Sequence, residues 1–250
     1  MTYSPDRLLE AIDANAVGLL VGLGVAMLCQ TVWLIEAARV ARRDSSYSIP
    51  LACTLFWFAH DIAYVVRFRD WFSTYDHWFL QLFWLGLLSA ALLEFVFFAQ
   101  LIRYGRRELA PAWSPFQFTL LIIAATTGSI LAWEYLRLLF DDPLYLASSA
   151  LTLMSYALFG PSMTLRRRSF RGQTLLMWQC FTTMTFAWWI ATVAFLPGPF
   201  RSWQYLAVGV FTAAVGVAMM IAIRHAPQSP NATEPARSDL TSDEPVPGTR

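Results

Sequence analysis

Long apolar runs separated by short polar loops make up most of the chain. A helix needs about 20 mostly apolar residues to cross the hydrocarbon core of a bilayer, and seven segments meet this requirement. The pattern therefore predicts an all-α fold, a polytopic membrane bundle of seven transmembrane helices. The predicted spans cover residues 16–38, 49–68, 78–102, 116–135, 144–163, 174–196 and 203–223.

The two ends of the chain differ from this apolar region. Residues 1–15 are polar and are predicted to form an N-terminal arm, followed by a transmembrane domain over residues 16–225. Residues 226–250 are rich in Pro, Ser and Glu and contain almost no large apolar side chains. Such a segment cannot offset the entropy cost of folding, so we expect a disordered tail.

The composition agrees with a membrane protein and excludes one class of chemistry. Hydrophobic residues make up 57% of the chain and charged residues 14%, whereas a typical soluble domain is about a quarter charged. The net charge of +1 gives no indication of nucleic-acid binding. All 18 basic residues are arginines. Without lysine, no side-chain amine is available for a Schiff base with retinal or pyridoxal phosphate.

Arginines are concentrated in alternate loops, which predicts an orientation. The first, third and fifth loops contain Arg39, Arg42, Arg43, Arg103, Arg106, Arg107, Arg166, Arg167, Arg168 and Arg171. The arm and the other loops contain only Arg7, Arg67, Arg69, Arg137 and Arg201. By the positive-inside rule, the N-terminus lies outside and the C-terminus in the cytoplasm of a multi-pass protein of the cell (plasma) membrane.

Two acidic residues lie deep inside predicted spans. By helical rise, Asp61 is about 18 Å and Glu94 about 12 Å from the arginine-rich end. Ionisable groups at such depth are rare and suggest a functional site. Removal from water favours the neutral carboxylic acid, a good proton donor. The alternative is a structural role, in which both acids only hydrogen-bond neighbouring helices. Glu134, near the external end of the fourth span, is a third candidate acid.

Aromatic side chains are abundant in the same spans as the two acids. Aromatic residues make up 16% of the chain. Most of them are expected to pack the bundle or contact lipid, but an aromatic face also stabilises a desolvated cation by about 2 kcal/mol. The candidates for lining a substrate cavity are Trp57, Phe58, His60, Tyr64, Trp84, Phe98 and Trp188.

No motif for metal or nucleotide chemistry is present. Asp141 and Asp142 precede a proline and lack the third acid of an aspartate-rich diphosphate motif. The three histidines, His60, His77 and His225, are too dispersed for a metal site. We therefore expect neither a metal nor an organic cofactor.

Two blocks of the second and third spans resemble the integral-membrane terpene cyclases. These are seven-helix enzymes of fungal meroterpenoid and indole-diterpene pathways, with actinobacterial relatives that make indolosesquiterpenes. Trp57, His60 and Asp61 stand where that family has an Asn-x-x-Trp-Glu-like motif, so Asp61 falls on the catalytic glutamate. Glu94 falls on a second family acid, and the pair Tyr104-Gly105 on a Tyr-Gly ending.

A third block, Met154-Ser155 followed by Leu165–Arg168 and Arg171-Gly172-Gln173, is similar to the family's basic cytoplasmic loop with its Arg-Gly pair. The resemblance covers roughly residues 49–190. Two differences stand out: the Asn-x-x-Trp-Glu motif retains only its acid, and the last span lacks the acid that the family has there. Either Glu94 or Glu134 takes over that acid's part, or the chain is a divergent member with a different substrate.

The resemblance implies an acid-initiated terpene cyclase. It would protonate the terminal alkene or epoxide of a prenylated, lipid-soluble substrate, sesquiterpenoid in size, and guide carbocation cyclisation. Asp61 would donate the proton with help from Glu94. The expected partners are the lipid bilayer and the prenylated substrate, and the oligomeric state stays open. Three alternatives remain: a proton-coupled small-solute transporter, a non-catalytic seven-helix sensor or assembly protein, and another membrane enzyme that modifies prenyl groups.

Overall fold

The computed structural model describes residues 4–226, and within this range the chain forms helices and no strand. Two single-turn π-helices interrupt the chain at Asp70–Thr74 and Leu101–Gly105, and a 3₁₀ turn forms at Gly198–Arg201. The α-helices of the described residues are α1 (Pro5–Ala14), α2 (Ala16–Arg43), α3 (Leu51–Val65), α4 (Trp78–Gln100), α5 (Arg106–Leu109), α6 (Pro115–Phe140), α7 (Ser149–Arg167), α8 (Leu175–Phe195) and α9 (Trp203–His225).

Four helical stretches are long and apolar enough to cross a membrane: Ala16–Arg43, Trp78–Leu109, Pro115–Phe140 and Trp203–His225. The prediction of an all-helical, multi-pass membrane protein is confirmed at this level. Helix α3 is apolar but has 15 residues. At 1.5 Å per residue it is about 22 Å long, which is shorter than a hydrocarbon core. The count of seven spans therefore stays a prediction.

The fifth predicted segment differs from the structure at both ends. Residues 144–148 form a turn, and α7 begins at Ser149 and continues to Arg167. The turn forms because Asp142 Oδ2 accepts the Ser148 backbone N–H at 2.6 Å, and Tyr145 has a φ of +59°. Because of this turn, Ser149 is the first residue of α7 and not a residue in the middle of a longer helix.

The predicted N-terminal arm contains the amphipathic helix α1. Pro5 lies in its first turn, where its missing N–H costs nothing, and Leu8, Leu9 and Ile12 are buried. The predicted tail lies outside the described residues, apart from Ala226.

Small residues bring three helices into close contact. A Cβ added at Gly22 of α2 would lie 2.6 Å from the Ala191 Cβ of α8, and one at Gly216 of α9 would lie 2.3 Å from the Thr182 hydroxyl of α8. Glycines at such positions let helix backbones approach closely. Helix α2 consequently packs along α8, while its contact with α4 is slight. The weak α2–α4 contact leaves room for a cavity.

The first, third and fifth predicted loops meet at one end of the bundle. Arg171 donates to the Asp44 carbonyl oxygen at 2.7 Å, and Arg167 donates to Glu108 Oε2 at 2.9 Å. The alternation of arginine-rich loops thus corresponds to one physical end of the molecule. Which side of the membrane this end faces remains a prediction.

Candidate functional site

A cavity of about 630 Å³ lies between α2, α3, α4, α7 and α8. Its walls are mainly leucine, methionine, phenylalanine and tryptophan side chains. The polar side chains of the lining are Gln30, Thr31, His60, Asp61, Ser89, Glu94, Ser149 and Thr152, and only His60, Asp61 and Glu94 among them are acids or bases. The two acids predicted from the sequence therefore share one cavity.

Asp61 and His60 are hydrogen-bonded to each other inside this cavity. His60 Nδ1 lies 2.7 Å from Asp61 Oδ1, and both residues are buried, with Asp61 6% exposed. Adjacent residues on a helix point about 100° apart, so the sequence alone did not require this contact. On its other side, His60 Nε2 lies 3.2 Å from the Ser149 hydroxyl oxygen. The three side chains form one hydrogen-bonded series.

The hydrogen-bond network assigns the histidine tautomer. The Ser149 hydroxyl lies 2.7 Å from the Tyr145 carbonyl oxygen, which can only accept, so its single hydrogen points there. His60 Nε2 must then carry a hydrogen and donate it to Ser149. The short contact between His60 and Asp61 consequently holds one further proton, shared between an imidazole nitrogen and a carboxyl oxygen. The pair is enclosed by the apolar lining of the cavity.

Glu94 has a different environment on the facing helix. It is 3% exposed and its Oε2 is buried, and it makes no hydrogen bond with any residue in the described range 4–226. It lines the same cavity as Asp61. The sequence left open a structural role through neighbours such as Gln81 and Gln100, but those amides bond elsewhere, to Asp76 and to the Ala38 carbonyl. Glu94 is therefore held by packing alone.

Three tryptophans contribute π-faces or edges to the cavity: Trp33, Trp57 and Trp188. Trp57 is fixed by N–H hydrogen bonds to the Thr152 carbonyl and the Ser155 hydroxyl, both at 2.9 Å. Trp33 meets Trp57 edge-on, with ring centroids 5.2 Å apart. Rings held in this way are suited to stabilise a cation that forms between them and the acids.

Five of the predicted site residues lie away from the cavity. Glu134 pairs with Arg67 at 2.6 Å and with Arg137 at 3.3 Å, near the end of the bundle opposite the arginine-rich loops. The other four pack against further aromatic rings or bond to backbone. They are Phe58 (against Phe95 and Phe98), Phe98, Tyr64 (stacked on Trp71) and Trp84 (donating to the Val65 carbonyl).

The cavity reaches the outer surface of the bundle between α2 and α4. Leu28 of α2 and Leu85 of α4 line the cavity and are also exposed on the outside of the molecule. Gly24, one turn before Leu28, also lines it, and a Cβ added there would meet nothing within 4 Å. Since α2 and α4 are membrane-span candidates, this opening would face lipid. The two acids line the same cavity as these exposed leucines.

Sequence reasoning missed Ser149 and Trp33 as site residues. Ser149 follows the turn at residues 144–148, and only the backbone geometry of that turn brings it to His60. Trp33 is one of many apolar residues in the first span, and its ring position depends on how α2 packs against α3 and α7. The Asp-Asp-Pro sequence before the turn was the one available signal for an early break in the fifth span.

No group of three or more His, Cys, Asp or Glu side chains able to hold a metal ion occurs among residues 4–226. No family model, curated protein or solved structure matches the chain. The resemblance to membrane terpene cyclases therefore rests on the sequence blocks described above.

Proposed function

We propose that this protein is a seven-span membrane terpene cyclase that starts carbocation cyclisation by proton transfer from the Asp61–His60 pair. The observation that carries the proposal is the shared cavity, where this pair and the unpaired Glu94 lie within an apolar, tryptophan-bearing lining. Proton donation by a positioned acid, exclusion of water and aromatic stabilisation of a cation are what such a reaction requires.

The proposed reaction begins with the transfer of one proton to the substrate and ends with the loss of one proton from it. The pair gives its shared proton to the terminal alkene or epoxide of a prenyl chain, which leaves a cation on carbon. Successive alkenes then form carbon–carbon bonds, and the positive charge passes along the chain beside Trp57 and Trp188. Loss of a proton from carbon to one of the two carboxyl groups ends the reaction. The product is an isomer of the substrate, so neither an oxidant nor a reductant is required.

The lateral opening supports a lipid-soluble substrate for this reaction. No Arg lines the cavity, so it offers no cation for a diphosphate. A neutral prenylated aromatic compound fits this environment better than a charged diphosphate. The positive-inside rule places the arginine-rich end, and with it the C-terminus, in the cytoplasm.

Deuterium labelling tests the proposal directly. Membranes containing the protein are incubated in D₂O with 3-farnesylindole or its terminal epoxide, and products are analysed by mass spectrometry. We expect the wild type to form cyclised isomers that are lost in Asp61→Asn. The product of 3-farnesylindole should retain one deuterium on carbon, whereas the product of the epoxide should carry its deuterium on the new hydroxyl, where it exchanges with water. If the wild-type protein yields no cyclised product from either compound while proteoliposomes show proton flux that depends on Asp61, the transporter alternative is correct.

The series Ser149–His60–Asp61 also contains the residue types of a second candidate, acyl transfer with Ser149 as nucleophile, although His60 Nε2 would have to lose the hydrogen that it donates to Ser149 before it could act as the base. An oxyanion formed there would need free N–H donors. However, the N–H groups of Ser149 and Ala150 donate to the carbonyls of Tyr145 and Ala147. Labelling with a fluorophosphonate probe distinguishes the two functions. The cyclase proposal expects no labelling that depends on Ser149, whereas labelling lost in Ser149→Ala would establish the acyl-transfer function.

A further inference from the structure

A second concave site lies at the arginine-rich end, separate from the central cavity. It has a volume of about 670 Å³ and is lined by four arginines, Arg103, Arg107, Arg167 and Arg171, with one carboxylate, Glu108. The remaining lining includes hydroxyl groups, among them those of Ser46 and Ser169. None of its lining residues is shared with the cavity that holds Asp61 and Glu94.

Two of these arginines form a fixed wall. Arg167 donates to both oxygens of Glu108 and to the Tyr47 carbonyl, at 2.9 to 3.1 Å, and Arg171 donates to the Asp44 carbonyl at 2.7 Å. Glu108 also pairs with Arg166 at 2.5 Å. The negative charge of Glu108 is therefore balanced by the guanidinium groups of Arg166 and Arg167. The positive charges of the other arginines in the pocket are not neutralised by it.

The backbone around this wall is held in place. Asp44 Oδ2 accepts the Gly172 N–H at 2.8 Å, which ties the first loop to the fifth. Gly172 has a φ of +82°, and a Cβ there would come within 2.9 Å of Arg167 Nη1. The loop thus needs glycine at this position, and contacts within the chain hold the site in place.

The other two arginines have no acidic partner. Arg107 makes no side-chain hydrogen bond or ion pair within residues 4–226, and Arg103 only lies over the Tyr104 ring at 5.4 Å. Both are exposed at the rim of the pocket, on successive turns after α4. Positive charge alone is expected at a cytoplasmic membrane surface. Two unpaired guanidinium groups facing a preformed, hydroxyl-lined pocket are a more specific arrangement.

We infer that this pocket binds a phosphate group, with Arg103 and Arg107 as the ligand-binding cations. Guanidinium groups match phosphate oxygens in bidentate geometry, and hydroxyls complete the hydrogen bonding. The site faces the membrane interface, so the phosphate can belong to an anionic phospholipid headgroup or to a soluble phosphate compound. The inference does not depend on the reaction in the central cavity.

Binding to the purified protein in neutral detergent tests this, in two arms. One arm titrates inorganic phosphate and pyrophosphate without lipid. The other titrates mixed micelles of phosphatidic acid or phosphatidylglycerol against phosphatidylcholine. The variant is Arg103→Gln with Arg107→Gln. The matched control is Arg42→Gln with Arg224→Gln, two exposed arginines at the same end that lie outside the pocket and lose the same charge.

We expect the pocket variant to bind at least about tenfold more weakly than wild type, since it loses two charge-assisted contacts. The control should change less than about twofold. Binding in the lipid arm only identifies a lipid headgroup, and binding in the soluble arm only identifies a free phosphate compound. The inference is overturned if wild type binds neither class, if the pocket variant binds like wild type, or if both double variants weaken equally. Neither pocket arginine has a hydrogen-bond or ion-pair partner among residues 4–226, so folding should be unaffected, and the melting temperature without ligand checks this.

Discussion

Glu94 and Glu134 are both acids in apolar helices, but their surroundings are opposite. Glu134 has a side chain that is 32% exposed and is held between Arg67 and Arg137, which stabilise its carboxylate, and the pair with Arg67 links the segment after α3 to α6. Glu94 is 3% exposed, has no cation and no hydrogen bond among the described residues, and faces the cavity that contains Asp61. An acid with two guanidinium partners is a structural link. An acid left unpaired in an apolar cavity costs stability, and such a cost is typical of functional sites.

Of the substitutions considered, replacement of the proton donor Asp61 should lower the rate of cyclisation most. Asp61→Asn keeps the size and hydrogen bonding of the side chain but cannot supply a proton. We expect cyclisation of 3-farnesylindole or its epoxide to fall about 10²- to 10⁴-fold, the usual contribution of a general acid. The matched control is Glu134→Gln, which should keep the wild-type rate within about twofold. A wild-type rate in Asp61→Asn, or an equal loss in both variants, would contradict the assignment.

Replacing each of the two glutamates by leucine should change the free energy of unfolding in opposite directions. Glu94→Leu removes an unsatisfied buried group, so the free energy of unfolding should rise by about 1 to 3 kcal/mol while activity falls about 10²-fold. Glu134→Leu removes the partner of Arg67 and should lower the free energy of unfolding by up to about 1 kcal/mol, with activity retained. Thermal unfolding in detergent and product rates measure both. A destabilised but active Glu94→Leu would make Glu94 a structural residue.

The sequence was sufficient to predict the helical membrane fold and the depth of Asp61 and Glu94 within it. Both follow from regular helix geometry, because apolar length and helical rise fix the depth of a residue but not the direction of its side chain. The contacts of His60 and Ser149 were not predictable in this way. They depend on the backbone turn at residues 144–148 and on side-chain orientations, which sequence spacing does not determine.

The aromatic residues that were predicted to line the cavity show the same limit of prediction from sequence. Trp57 and Trp188 line the cavity, whereas Phe58, Tyr64, Trp84 and Phe98, from the same apolar spans, do not. The difference lies in which face of each helix turns inward. Since α3 and α4 are apolar on nearly all sides, hydrophobic periodicity could not identify that face.

The lateral opening can be tested with two matched glycines. A Cβ added at Gly24 or at Gly128 would meet nothing within 4 Å, so neither Gly24→Phe nor Gly128→Phe should disturb folding. Only Gly24 lines the cavity. We expect Gly24→Phe to lower kcat/KM about 10²-fold by obstructing or misplacing the substrate, and Gly128→Phe to have no effect. Equal activity in both variants would mean that substrates reach the acids by another route.

The smallest expected effect comes from the aromatic lining. Trp188→Leu removes a ring that lines the cavity but leaves Tyr205, its hydrogen-bond acceptor, still bonded to Thr192 at 2.8 Å. We expect a loss of about 1 to 2 kcal/mol of transition-state stabilisation and a shift toward products quenched after fewer ring closures, because the cation loses an aromatic face. Trp84→Leu removes the same ring type outside the cavity and should leave the product distribution unchanged. The measurement is the ratio of partly to fully cyclised products by gas chromatography and mass spectrometry. If that ratio changes equally in the two variants, the tryptophans act through packing and not through the charge on the substrate.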